Sequence, residues 1–150
     1  MVRILCILSW VSIAWIPRNE VKRYLPVTIL SGLFTVTVVL IGSHYHFWGD
    51  KGKAKSKMWN HLSLVLGPFA VTNLWIFHKT YGNLGKYIFV NLLNNLFYGF
   101  KVIPIFDKIR FLKYVKFTRI HHIIHTMFES IFLYWYQVFF DKQGNDQIQD

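Results

Sequence analysis

The chain has 150 residues, 53% of them apolar, 19% aromatic and 16% charged, and its 17 Lys+Arg against 7 Asp+Glu leave a net charge of +10. Soluble domains average about 45–50% apolar and about 25% charged, so a disordered chain, a fibrous repeat and an acidic solvating tail are excluded. The lone Cys6 excludes a disulfide framework and a cysteine-built zinc site.

The apolar residues fall into five blocks with the charges between them: Met1–Ile16, Tyr24–Gly42, Leu62–Phe77, Tyr87–Phe106 and Ile120–Phe140. As helices, the second block rises about 28 Å and the fifth about 31 Å, enough to cross a hydrocarbon core of about 30 Å. The fourth also spans, interrupted near its end by Lys101 and Pro104; the first and third are marginal. A soluble bundle would need a polar face on every helix. From Val27 to Ile41 the only polar side chains are Thr28, Ser31, Thr35 and Thr37. The expectation is an all-α integral membrane bundle of about five transmembrane helices over residues 1–140, with a polar tail at 141–150.

Met1-Val2-Arg3 followed by an apolar run resembles a signal peptide, and Ser12-Ile13-Ala14 fits a cleavage pattern. Bulky Trp10 and Trp15 crowd that site, and four later blocks already supply insertion, so a retained first helix is favoured. If it were cleaved or re-entrant, four spans would remain. With five spans, one side holds Arg3, Lys51, Lys53, Lys55, Lys57, Lys108, Arg110, Lys113, Lys116 and Arg119. The other holds Arg18, Lys22, Arg23, Lys79, Lys86 and Lys142. The positive-inside rule then predicts a cytoplasmic N-terminus and an external C-terminus.

Pro17 and Pro26 bracket the first loop, Gly67-Pro68 should kink or start the third helix, and Thr80-Tyr81-Gly82-Asn83 reads as a tight turn. The lysines at 51, 53, 55 and 57 have no interleaved aromatic platform of a nucleic-acid contact. Lys51, Lys53, Lys55 and Lys57 are read instead as a solvated loop near anionic lipid heads. Arg110, Lys113, Lys116 and Arg119 suit an interfacial segment with Phe111, Tyr114 and Phe117 dipping into the membrane. Thr28, Ser31, Gly32 and Thr35 read as small-residue contacts between helices.

The informative residues are polar ones inside the last two spans. At about 100° per residue, Tyr87, Asn91, Asn94, Asn95, Tyr98 and Lys101 share a wedge of about 120° on helix four. Thr118, His121, His122, His125, Glu129 and Tyr136 share one of about 100° on helix five. Such stripes should face protein or water rather than lipid. Asn91, Asn94, Asn95, Tyr98, Lys101, His121, His125 and Glu129 are therefore the candidate polar seam or proton relay. Glu129 lies about 13.5 Å from the basic-loop face and Lys101 about 7.5 Å. Glu129 is thus either a functional carboxylate or a register-fixing one bonded to Asn95 or Lys101.

His121, His125 and Glu129 follow an i, i+4, i+8 spacing that can hold a divalent metal, with His44 and His46 as further ligands. They can equally form a relay, or be interfacial histidines satisfied by water and lipid phosphate, which is favoured. No metal or cofactor is expected. No nucleophile elbow, P-loop or dinucleotide fingerprint occurs.

Gly-Pro-Phe at Gly67–Phe69, Trp75-Ile76, Thr80-Tyr81-Gly82, then Tyr87, Asn91 and Asn95 carry a resemblance, with Arg23-Tyr24-Leu25-Pro26 upstream. The chain resembles, over Ile4 to about Phe140, a family of small multi-pass membrane proteins of unassigned function from spore-forming bacilli and clostridia. The resemblance implies a bacterial cell-membrane location and no activity, substrate or cofactor. An acidic residue often stands in that family where Asn95 stands here, which weakens the case for an essential charge on helix four.

The leading expectation is a non-enzymatic membrane component acting through lipid or protein partners, with self-association natural for so thin a bundle. The rivals are a small proton-coupled transporter using Glu129 and an intramembrane metalloenzyme.

Overall fold

The computed structural model describes residues 2–49, 62–108, 113–116 and 118–146. Helix α1 (Val2–Ser12) ends in a 3-10 turn at Ile13–Trp15. Helix α2 (Arg18–His44) follows, then a two-residue strand, β1 (Trp48–Gly49). Helix α3 covers 62–80, with a π-helical turn at Val65–Phe69 leading into Ala70–Thr80. Helix α4 (Leu84–Lys108) contains a second π-turn at Tyr98–Val102. Strand β2 (Lys113–Tyr114) pairs antiparallel with β1, and α5 (Arg119–Asp146) closes the described chain.

The architecture is therefore all-helical apart from that short β1–β2 bridge. By length and composition, two helices, Arg18–His44 and Leu84–Lys108, can cross a membrane. Only 17% of the most apolar window of the first and 22% of that of the second is buried inside the bundle.

Proline placement explains where α2 starts. Pro17 precedes the first helical residue, where a fixed φ suits entry into a helix. Pro26 was expected to bound the loop, but α2 runs through it. A proline beyond the first turn costs one backbone hydrogen bond and crowds the turn before it. The Gln137 amide donates to the Arg23 carbonyl, in the turn before the proline, at 3.3 Å.

Gly67-Pro68 is accommodated by the π-turn of α3, as a proline inside a helix requires some departure from the α ladder. Gly67 is also where α1 seats. A Cβ there would lie 2.8 Å from Cys6 Sγ and 2.9 Å from Cys6 Cα, so only glycine admits the neighbouring backbone. The Trp10 indole N–H donates to the Leu66 carbonyl at 3.0 Å, and that of Trp75 to Ser12 Oγ at 3.2 Å. The α3–α4 turn forms as expected: Gly82 takes φ +90°, and Asn83 caps α4 by accepting from the Lys86 amide at 3.0 Å.

Four helices meet in an aromatic core at the end of the bundle that carries this turn. Tyr24 of α2 stacks on Phe77 of α3 at 5.7 Å, and tilted ring contacts join Phe77 to Tyr87 of α4 at 5.0 Å and Tyr87 to Tyr134 of α5 at 5.0 Å. Val27, Phe77 and Tyr87 have no solvent exposure. Beside this core, Arg23 pairs with Asp141 at 2.7 Å while its guanidinium lies 4.9 Å from the Tyr81 ring. The Gln137 amide also donates to Asp141 at 2.9 Å. Burial pushes the Asp141 carboxyl up, yet its bonds to Arg23, Tyr81 and Gln137 outweigh that and hold it below the usual carboxylate range. The Glu20 carboxylate and the His78 imidazole meet in a second polar contact, between α2 and α3, at this end.

Candidate functional site: a polar cavity between four helices

Towards the other end, where the basic loops connect, the helices part around a cavity of about 160 Å³. Ser31 and Thr35 face it from α2, and Thr72 and Asn73 from α3. Helix α4 contributes Asn91, Asn94, Asn95 and Tyr98; α5 contributes His122, His125, Thr126, Glu129 and Ser130. The apolar share of the wall comes from Val38, Val39, Leu64, Val65, Phe69, Ile76 and Leu133.

The lining follows from helical periodicity. Asn91, Asn94, Asn95 and Tyr98 recur at three- and four-residue steps on one face of α4, as do His122, His125, Thr126, Glu129 and Ser130 on α5. The two faces meet in a buried contact where Ser130 Oγ donates to Asn91 Oδ1 at 3.1 Å. Asn91 Nδ2 in turn donates to the Tyr87 carbonyl at 2.9 Å. Asn95 Nδ2 reaches Met127 Sδ at 3.7 Å. Glu129 projects across to α2, where Ser31 Oγ donates to its Oε1 at 3.1 Å. Among the described residues, the side chains of Asn73 and Asn94 take no protein hydrogen bond, so both carboxamides remain available to an occupant.

Both π-turns meet at the cavity wall. Phe69 belongs to one and Tyr98 to the other, and their rings make an edge-to-face contact at 5.0 Å. The Tyr98 ring also lies 5.1 Å from that of His122. π-turns are rare in helices and concentrate at functional sites.

Of the residues expected in the seam, Asn91, Asn94, Asn95, Tyr98, His125 and Glu129 converge on the cavity. Two do not. Lys101 is exposed and does not line it, because a π-turn winds more slowly than an α-helix and carries Lys101 off the stripe. His121 is exposed at the start of α5, where its Nδ1 lies 2.7 Å from Thr118 Oγ1. Its neighbour His122 takes the inward position. Glu129 consequently bonds neither Lys101 nor Asn95 but Ser31, a residue that reads from sequence as a packing contact.

His44 and His46 are exposed near β1 and line no part of the cavity. Among the described residues, no three His, Cys, Asp or Glu side chains converge as a metal site. Of the expected lipid-facing cations, Lys116 and Arg119 are exposed, and Arg119 lies 5.5 Å over the Phe100 ring. Lys113 contributes its backbone to β2. Lys51, Lys53, Lys55, Lys57 and Arg110, with Phe111 and Phe117, lie outside the described residues.

No protein-family model, curated protein or solved structure matches this chain.

Proposed function

We propose that the chain is a five-span bacterial cell-membrane protein, N-terminus inside, that acts as a small non-enzymatic solute- and proton-handling unit through the cavity at Glu129. The exposed apolar surface supports the membrane setting. Ile29 and Leu33 on α2, Phe89, Leu93 and Phe97 on α4, and Ile124, Phe128 and Trp135 on α5 all point away from protein. Surfaces of this extent are covered by lipid or partners rather than by water. The bridge between β1 and β2 puts the chain after α2 beside the chain before α5. An arrangement of alternating spans requires those two basic loops on one side, and the positive-inside rule makes that side cytoplasmic.

The observation that carries the proposal is Glu129, a carboxylate held across the bundle by a serine of α2 in a cavity that, among the described residues, no Lys or Arg lines. An ionisable group at such a depth is costly unless the bundle uses it. Reconstitution into liposomes with an internal pH dye tests the reading. The parent protein is expected to carry proton flux, and folded Glu129→Gln to carry none. Equal flux in both removes Glu129 from the mechanism and the transport reading with it.

A packing seam is favoured at one place, the buried Asn91–Ser130 bond between α4 and α5. Those two residues act structurally. Glu129, Asn94 and His125 lie on the open side of that contact.

A further inference from the structure

The cavity's chemistry narrows what it can hold. Among the described residues that line it, Glu129 is the one carboxylate and there is neither Lys nor Arg. In a low-dielectric setting a lone carboxylate is costly and its attraction to an opposite charge is strong, so the site favours a cation over an anion. One Glu129 oxygen takes the Ser31 hydroxyl, which leaves the other to accept from an occupant. The Asn73 and Asn94 carboxamide oxygens supply further acceptors on neighbouring helices.

An inorganic cation fits poorly. Calcium takes six to eight oxygen ligands and magnesium a near-ideal octahedron of them, whereas much of this wall is aliphatic. Leu64, Val65, Ile76 and Leu133 offer surface to a hydrocarbon body, and the rings of Phe69 and Tyr98 line the same cavity. The cavity's volume, about 160 Å³, is close to that of an apolar cavity that holds a benzene ring.

We propose that the cavity binds a small organic ammonium ion. Its N–H groups bond Glu129 and the Asn73 and Asn94 carboxamides, while its carbon body lies against the aliphatic and aromatic wall. This assignment rests on the solute-handling reading above and names the class of solute.

Calorimetric titration of the full-length protein in detergent tests it, with benzylammonium, benzyl alcohol and benzoate as probes of one size and three charges. Benzylammonium is expected to bind saturably, benzyl alcohol at least tenfold more weakly, and benzoate not at all. Glu129→Gln should weaken benzylammonium at least tenfold, and Lys101→Gln should leave it unchanged. Benzoate binding as tightly as benzylammonium overturns the proposal. So does undiminished benzylammonium binding by Glu129→Gln. The three-probe comparison uses the parent protein alone, so it decides the matter even if a variant fails to fold. Glu129-dependent proton flux without benzylammonium binding overturns the ammonium assignment and leaves transport standing. Benzylammonium binding without flux upholds the assignment and removes transport.

Discussion

The two ends of the bundle solve opposite problems with the same helices. Around Tyr24, Phe77, Tyr87 and Tyr134, aromatic rings from four helices close on one another, with the Arg23–Asp141 pair alongside. Around Glu129 the same four helices part, and polar side chains line the gap. Aromatic packing gains from close ring contact and area, which favours a closed end. Carboxamides, imidazoles and a carboxylate each require a partner once buried, which favours an end that keeps room for an occupant. One end fixes the helices relative to one another so that the other can stay hollow.

Breaking the closed end should cost most. Phe77 contacts three aromatic neighbours and has no solvent exposure, so Phe77→Ala is expected to destabilise by about 3 kcal/mol or more through the cavity it leaves. Thermal unfolding in detergent reads this directly. A shift no larger than that of an exposed control such as Phe128→Ala would mean that the aromatic core does not fix the helices. Next comes the seat of α1. Gly67→Val drives a side chain into the Cys6 backbone and should cost about 1–3 kcal/mol by overpacking. A neutral result in the same assay would show that α1 does not pack there.

The smallest effect belongs to the Arg23–Asp141 pair. Arg23 is 48% exposed, so Asp141→Asn should cost about 1 kcal/mol or less. The Asp141 carboxyl lies below its ordinary value in the folded protein. The pair's contribution is therefore fully present above about pH 4, near the unperturbed aspartate value, and is lost as pH falls through the lower folded value. Unfolding curves of the parent and Asp141→Asn should converge on acidification. Curves that stay parallel down to acid pH would remove Asp141 as the group responsible.

Much of the helical layout is legible in the sequence, because apolar runs separated by charge and turn residues permit few other structures. The turn at Thr80–Asn83 is read from the same local chemistry. What the sequence conceals is phase. A π-turn leaves no compositional mark, so the α-helical wheel that brings Asn91, Asn94, Asn95 and Tyr98 together also assigns Lys101 to the stripe, where it does not lie. On α5 the wheel cannot choose between His121 and His122, because both fall in one wedge; the Thr118 cap decides it by engaging His121. Ser31 is hidden for a different reason. On an apolar helix a serine reads as a small packing residue, and only the position of α5 opposite α2 turns it into the partner of Glu129. Pro26 misleads for another reason: a proline between charged and apolar segments reads as a boundary, whereas α2 runs through it.

The closed end against the hollow end is tested most directly by thiol accessibility in native membranes, with Cys6→Ser as the background. Single Asn94→Cys and Val27→Cys variants are exposed to a membrane-impermeant maleimide, in intact bacterial cells and in inside-out vesicles. Labelling of Asn94→Cys is expected in the vesicles alone and of Val27→Cys in neither preparation. Val27→Cys labelled as fast as Asn94→Cys, or Asn94→Cys labelled in neither preparation, would contradict that contrast.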